Sequence, residues 1–401
     1  MVRATRVVTA VVLARNLGPV DLGIAATAIS CFELVRILAN NGLAQMVIRA
    51  KPDKLDATCN TAESLIWRIC LGMTVLQLAI GAVVTHVTGR AELMPMIACL
   101  AVVYLTMPPG MVQGWLLQRE QRMGAISAIY ATQVVADNVF AVLLAMSGFG
   151  AWAIVLPKLL TAPIWLTGVR RLRPWQRNPT AGRIPLGEMW VYSAPILASE
   201  ILVAVRTNAD KMLVAVVLGL EALGIYYFAF SAGYGLSMGL TGALTAASFP
   251  HLAATLSTKD MLEKFDRAVW RLALPISGLV TLQALAIFVY VPLCFGVKWE
   301  PYAPVVAVLC MSAVTKSCSD LAGQLLRAAG MPGQELRASI VFTVVLLAAF
   351  ALALPFGLMA GVITIAAVSV SLQAVFALWA RSRVARLLGD PGGSAFREVG
   401  A

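Results

Sequence analysis

Glu33 and Arg36 stand three residues apart inside an apolar run, and with Ser30 and Asn40 they fall at helical spacing on a single stripe. At the rise of an α-helix, Glu33 lies about 16 Å from the outer end of that helix, well inside a bilayer. The spacing returns in Ser312, Lys316, Asp320 and Gln324. A third apolar helix carries Glu200, Arg206, Asp210 and Lys211, a fourth Tyr130, Gln133 and Asp137, and a fifth places Lys158 directly after Pro157. Each ionisable group at that depth costs about 2.5 to 3.5 kcal/mol even on the mildest scale, so it needs a partner or a wet cavity. Glu33 with Arg36, Arg206 with Asp210, and Lys316 with Asp320 are spaced to neutralise one another within a helix. Two chemistries therefore stay open at these residues: structural ion pairs, or a polar cavity for a charged cargo.

In the cavity reading, Arg36, Lys158, Arg206, Lys211 and Lys316 are the cations that meet the cargo, and Tyr234 belongs to an aromatic and hydroxyl surface that sugars favour. Glu33, Asp137, Glu200, Asp210 and Asp320 are then the ion-pair or coupling carboxylates. His86 and His251 fall at opposite span ends, and the seven cysteines show no paired metal-ligand spacing. With no nucleophile or phosphate-loop motif either, the sequence predicts neither an enzyme, nor a metal site, nor a cofactor.

These residues are set in a chain that is 60% hydrophobic and 13% charged, against about 45–50% and about 25% for an ordinary soluble protein. Its 401 residues hold about a dozen spans of ~20 residues with short loops and no stretch left for a soluble domain. The net charge of +11 sits at span ends and reads as membrane topology, not as nucleic-acid binding. Residues 3–14 lead straight into the next helix and read as a short first span, not a signal peptide.

The chain repeats itself. LARNLGPVDLGIAATAIS, 13–30, returns as VAVVLGLEALGIYYFAFS, 214–231, with matches that include Gly18 and Gly219, Leu22 and Leu223, Gly23 and Gly224, and Ser30 and Ser231. Each copy reads as a tight Leu-Gly turn between two helices, glycine supplying the left-handed backbone of a sharp reversal. Phe149-Gly150 and Phe356-Gly357 mark the corresponding turn before the last helix of each half.

Apolar runs predict twelve helices, over 2–17, 22–48, 62–88, 93–118, 124–147, 150–170, 188–218, 222–250, 266–295, 301–328, 334–355 and 358–381. Six helices separate the copies of the repeat, so the halves are parallel repeats about the membrane normal, a transporter architecture. The sequence thus divides into an N-terminal six-helix bundle over 1–170, a basic linker over 171–187, a C-terminal six-helix bundle over 188–381 and a tail over 382–401. The excess of Lys and Arg on one side of the spans puts both termini and the linker in the cytoplasm. Prolines inside spans, Pro108, Pro109, Pro157, Pro163, Pro195 and Pro275 among them, predict kinks.

LARNLGPVDLG, LLQREQRMGAISAIY, SGFGAWAIV, NADKMLVAVVLGLEALGIYYFA, SFPHL, FGVKWEPYAPV and LLRAAGMPG follow one another along the chain. In that order they resemble the polysaccharide transport family of lipid-linked oligosaccharide flippases, in the superfamily that also holds MATE drug exporters and the lipid II flippase. Members usually extend further at the N-terminus, often carry two more C-terminal helices and tend to have an aromatic where Met123 stands. The resemblance implies an all-α polytopic membrane protein of two six-helix bundles forming a V. It implies alternating access in a bacterial inner membrane, with a polyprenyl-diphosphate oligosaccharide as cargo for lipopolysaccharide or exopolysaccharide synthesis. Membrane lipid, a glycan polymerase and an export complex are the partners it suggests. Only Asp210 coincides with a position the family tends to keep acidic. A MATE-like exporter of organic cations shares the fold and would use a carboxylate such as Asp137 or Glu33. A membrane polymerase or ligase of the same pathway would need a large outward loop, whereas the outward turns here are short. A scaffold for glycan assembly is the remaining alternative.

Overall fold

The computed structural model describes the backbone of residues 2–39, 42–235, 237, 258–329 and 331–386, with side chains in all of these except 2–4, 186–207, 258 and 332. All regular structure among the described residues is helical. Among the described residues, nine helices are long and apolar enough to cross a membrane, or ten if one bent pair is counted as a single span. The protein is a multi-pass membrane protein.

The first compact unit is Met1–Ile225. Its helices are α1 (Val2–Asn16), α2 (Pro19–Arg36), α3 (Leu43–Arg49), α4 (Leu55–Thr88), α5 (Leu93–Thr106), α6 (Pro108–Arg119), α7 (Met123–Met146), α8 (Trp152–Leu172) and most of α9 (Leu186–Ala229). Tyr104, Ile66, Met73, Ile97 and Leu100 are buried in its core with Leu43 and Val47 of α3. The helix expected over 22–48 is interrupted: α2 ends at Arg36, a 3-10 turn covers Ile37–Ala39, and α3 begins only at Leu43. Asn40, the last residue of the Glu33 stripe, lies outside the described residues. The expected Pro108-Pro109 kink is a bend of 52° between α5 and α6, since proline withholds an amide donor and its ring displaces the preceding carbonyl.

The repeated hairpin takes two backbone forms. Gly18 is extended (φ −86°) and its amide donates to Asp21 Oδ2 at 3.3 Å, so the left-handed turn expected there does not occur. Gly219 has φ +86° and ψ −178° and breaks α9 in two; only glycine adopts that combination without strain. The two copies then cross. A methyl carbon built on Gly23 would overlap the Leu220 carbonyl, and one built on Gly224 would overlap the Pro19 carbonyl and come within 2.9 Å of the Gly23 amide nitrogen. Pro19 and Leu220 are themselves repeat counterparts, so the crossing is symmetric and backbone rests on backbone. The crossing lies within the first unit, which runs to Ile225.

That linker is docked. The Asn60 amide donates to the carbonyls of Asn178 (2.7 Å) and Gly182 (3.1 Å), Asn178 donates to Asp56 Oδ2 (2.9 Å), and the Ile184 amide donates to Thr61 Oγ1 (2.9 Å). Trp175 packs against the core of the unit. Removing the Asn60 amide leaves two linker carbonyls without their donor. Asn60→Leu is therefore expected to speed tryptic cleavage at the exposed Arg177 and Arg183 severalfold, with cleavage at Arg90 as the internal control.

The second unit is Tyr226–Ala401. It contains a π-helical turn over Phe230–Tyr234, then α10 (Thr258–Ala268), α11 (Leu274–Tyr290), α12 (Ala303–Met311), α13 (Lys316–Ala328), α14 (Pro332–Ala353) and α15 (Leu358–Arg386). The helix expected over 301–328 is also interrupted: α12 stops at Met311 and α13 starts at Lys316. α13 packs on α15, and α12 packs on α11 and on the π turn.

Candidate functional site

Both interruptions lie beside a charged pair. At the first, Arg36 donates to Glu33 Oε2 through Nη2 (2.7 Å) and Nε (3.0 Å). α2 buries Leu22 to Ala28, Ser30 to Phe32 and Val35, so Glu33 and Arg36 occupy the face its own unit leaves open. Their side chains are 38% and 50% exposed. An ion pair left this open retains donors for an incoming anion, because Arg carries five N–H groups and this contact engages two of them.

At the second, Lys316 is the first residue of α13, and its Nζ lies 2.7 Å from Asp320 Oδ1. A cation at a helix N-terminus opposes the helix dipole, which costs about 0.3–1 kcal/mol; the carboxylate one turn later offsets it. Thr315, just before α13, donates to Gln373 Oε1 at 2.8 Å and so ties the break to α15. Helix breaks of this kind free backbone groups at depth and are tolerated where the chain lines a cavity or packs on protein.

Two further pairs lie elsewhere. Lys158 of α8 reaches across to Asp137 of α7, Nζ to Oδ2 at 2.7 Å, a tertiary contact that spacing along the chain does not show. The second oxygen, Asp137 Oδ1, is buried with no hydrogen-bond partner among the described residues. Lys211 Nζ lies 3.6 Å from Asp210 Oδ1, both side chains being largely buried. Lys158→Ala would leave the largely buried Asp137 carboxylate without its counter-ion, at a cost below the about 3–5 kcal/mol of a fully buried pair because Lys158 is itself more than a third exposed. The level of folded Lys158→Ala protein in membranes is expected to fall, and a Lys158→Met, Asp137→Leu double substitution is expected to restore it.

Tyr234 closes the π turn, its ring 5.0 Å from that of Phe230. The side chains of Glu200 and Arg206 lie outside the described residues. No cluster of three or more metal-ligating side chains occurs among the described residues.

One polar group is absent from the sequence expectations: Tyr104 and Gln77, buried in the first unit. A signal for it exists in the repeat. Leu76-Gln77 and Leu282-Gln283 place a glutamine inside the third apolar helix of each half, and uncharged polar residues in such runs are easily passed over as packing.

Residues 12–304 match the family model described as polysaccharide biosynthesis protein. The chain is 25% identical over 332 residues to the lipopolysaccharide biosynthesis protein WzxC of Escherichia coli (strain K12), a match covering 79% of this chain and 65% of WzxC. It is 24% identical to the teichuronic acid biosynthesis protein TuaB of Bacillus subtilis (strain 168), over 69% of this chain and 58% of TuaB. The chain thus spans about two thirds or less of the length of these relatives. Among solved structures it is similar to a multidrug resistance MATE family transporter of the MOP superfamily in an inward-facing conformation (TM-score 0.75, 14% identity, 96% of each chain). It is also similar to the lipid II flippase MurJ in an inward closed conformation (TM-score 0.69, 8% identity, 96% of this chain and 88% of that one). At these identities the two structures establish the fold alone, a polytopic all-helical one.

Proposed function

The chain belongs to the polysaccharide biosynthesis protein family, and from that premise we propose that it translocates a polyprenyl-diphosphate-linked oligosaccharide across the bacterial inner membrane for lipopolysaccharide or exopolysaccharide synthesis. The observation that carries the reading is the placing of charge. Two helices of an otherwise apolar chain are interrupted, and each interruption is flanked by a cation that, among the described residues, is held by one carboxylate, Arg36 and Lys316. A diphosphate moving between leaflets sheds water, and charge-assisted donors at the breaks replace it while the prenyl tail stays in lipid. Arg36, Lys316, Lys158, Lys211 and Arg206 are the proposed cargo cations, with Tyr234 on the sugar-facing surface. Glu33, Asp137, Glu200, Asp210 and Asp320 hold them between cycles. No bond is made or broken in this scheme, so the role is transport, not catalysis. A glycan polymerase is the partner class that would consume the translocated product.

A carrier of small organic cations on the same fold would need the carboxylates unopposed, whereas Glu33, Asp137 and Asp320 each hold a Lys or Arg at 2.7 Å; that favours an anionic cargo. The direct test is the fate of the cargo in cells lacking the protein. Lipid-linked oligosaccharide is expected to accumulate on the cytoplasmic leaflet, and its normal appearance on the outer leaflet would reject the proposal. The charge bias supports a topology with the linker at 171–187 and both termini in the cytoplasm. An alkaline phosphatase fusion at Gly182 is expected to be inactive and a green fluorescent protein fusion there fluorescent; the reverse pattern refutes the topology.

A further inference from the structure

α2 breaks immediately after Arg36, and what holds its last turn is the side chain of Tyr104. The Tyr104 hydroxyl donates to the Phe32 carbonyl at 2.7 Å, and the two rings stack at 5.0 Å with an interplanar angle of 11°. Tyr104 is fully buried and sits at the end of α5, three residues before Met107, where the chain bends by 52° into α6. One side chain therefore joins the break in the first polar helix to the bend in the fourth span.

Behind the hydroxyl lies Gln77, also fully buried, with Oε1 3.4 Å from Tyr104 Oη and Nε2 without a hydrogen-bond partner among the described residues. The hydroxyl has one proton and the Phe32 carbonyl already takes it. A half-turn of the Gln77 amide, which leaves its shape unchanged, brings Nε2 to the lone pairs of the hydroxyl and forms a relay from amide to hydroxyl to carbonyl.

In the second unit a glutamine and a tyrosine bond the helix backbone directly. Gly233, the repeat counterpart of Phe32, accepts a hydrogen bond from Gln283 Nε2 at 3.0 Å, and Ala232 accepts one from Tyr290 Oη at 2.9 Å. There the helix is widened into the π turn Phe230–Tyr234. In both halves a glutamine of the third helix, fully buried in the first and part-buried in the second, stands with a tyrosine at the backbone of the same turn. Polar groups set in an apolar core at this cost specify one local geometry.

We propose that Tyr104, backed by Gln77, is a positioning residue for Arg36: it fixes the final turn of α2 and so the direction in which the guanidinium meets the diphosphate. The inference rests on the proposed function, and its test separates the two. Binding of undecaprenyl diphosphate to the full chain in nanodiscs is measured for the unaltered protein, Tyr104→Phe, Gln77→Leu, Arg36→Ala, and each of the first two combined with Arg36→Ala. Tyr104→Phe keeps the ring and loses only the hydroxyl. It is expected to weaken binding roughly three- to tenfold, and Gln77→Leu by less, in keeping with loss of one buried hydrogen bond. Because both act through Arg36, neither should weaken binding further once Arg36 is alanine.

Equal factors in the two backgrounds would mean that Tyr104 merely supports the fold, and the inference would be wrong; so would unchanged binding in Tyr104→Phe. If Tyr104→Phe does not accumulate, the Gln77→Leu pair decides by the same comparison. Unchanged binding in Arg36→Ala, or no binding by the unaltered chain, removes the assignment of Arg36 or the diphosphate reading itself, and the inference with it.

Discussion

Gly224→Ala and Gly23→Ala should cause the two largest losses of folded protein among glycine-to-alanine changes at the described positions. At most sites an added methyl is absorbed by a neighbouring side chain that rotates away; at Gly110, for example, the nearest atoms belong to the Trp165, Val169 and Leu166 side chains. At the crossing the obstacle is the peptide group itself, the carbonyl of Pro19 on one side and of Leu220 on the other, and a helix backbone moves only as a whole. Overpacking a tight core costs about 1–3 kcal/mol even where side chains yield, so a backbone clash belongs at or above that range. The double substitution carries the sharper signature. Once one methyl has parted the two helices the second has room, so the double variant should be little worse than either single, a strongly non-additive result for two residues sharing one contact. Gly72→Ala is the control: its added carbon meets nothing within 4 Å, and alanine in a helix interior stabilises by about 0.5–1 kcal/mol over glycine. Thermal unfolding of the detergent-solubilised protein measures all four. Additive losses from Gly23→Ala and Gly224→Ala would mean that the copies do not rest on each other.

The same glycines show what sequence could and could not disclose. Gly23 and Gly224 were visible as a repeat because their neighbours, Leu22 with Leu223 and Ile24 with Ile225, repeat with them. Their contact was not visible, since spacing along a chain carries no record of which surfaces meet. The Pro108-Pro109 bend was legible because proline has a fixed covalent effect on a helix. The break before Lys316 was not: Ser312 to Thr315 contains neither proline nor glycine, and the partner that Thr315 meets there, Gln373, belongs to another helix. Pairs three or four residues apart, Glu33 with Arg36 and Lys316 with Asp320, follow from helical periodicity and are present. Asp137 with Lys158 required the packing of α7 on α8, which no local pattern encodes.

Lys316 is expected to lose transport while its variants still fold, provided Asp320 is neutralised with it. Alone, Lys316→Ala leaves a three-quarters-buried carboxylate facing the start of α13 without the cation now 2.7 Å away. Stranding a charge in this way destabilises strongly, so a single alanine variant confounds folding with function. In Lys316→Ala, Asp320→Asn both charges are gone, so the level of membrane protein should return close to normal. Transport of a polyprenyl-diphosphate oligosaccharide into proteoliposomes should not return. The lost contact is a charge-assisted hydrogen bond to phosphate, about 1.5–3 kcal/mol, which is a rate or affinity deficit of roughly ten- to a hundredfold. Lys316→Arg with Asp320 intact should keep part of the activity, because the charge survives but its shape and reach differ. The pair's placement explains why the cation is available to cargo at all. Asp320 engages one of three ammonium protons, and the position at the first residue of a helix leaves Lys316 slightly underbound by its own backbone dipole. A well-folded double variant that transports at the normal rate would show that the second break serves structure alone, and would move the cargo's charge to Arg36 and Lys158 in the first unit.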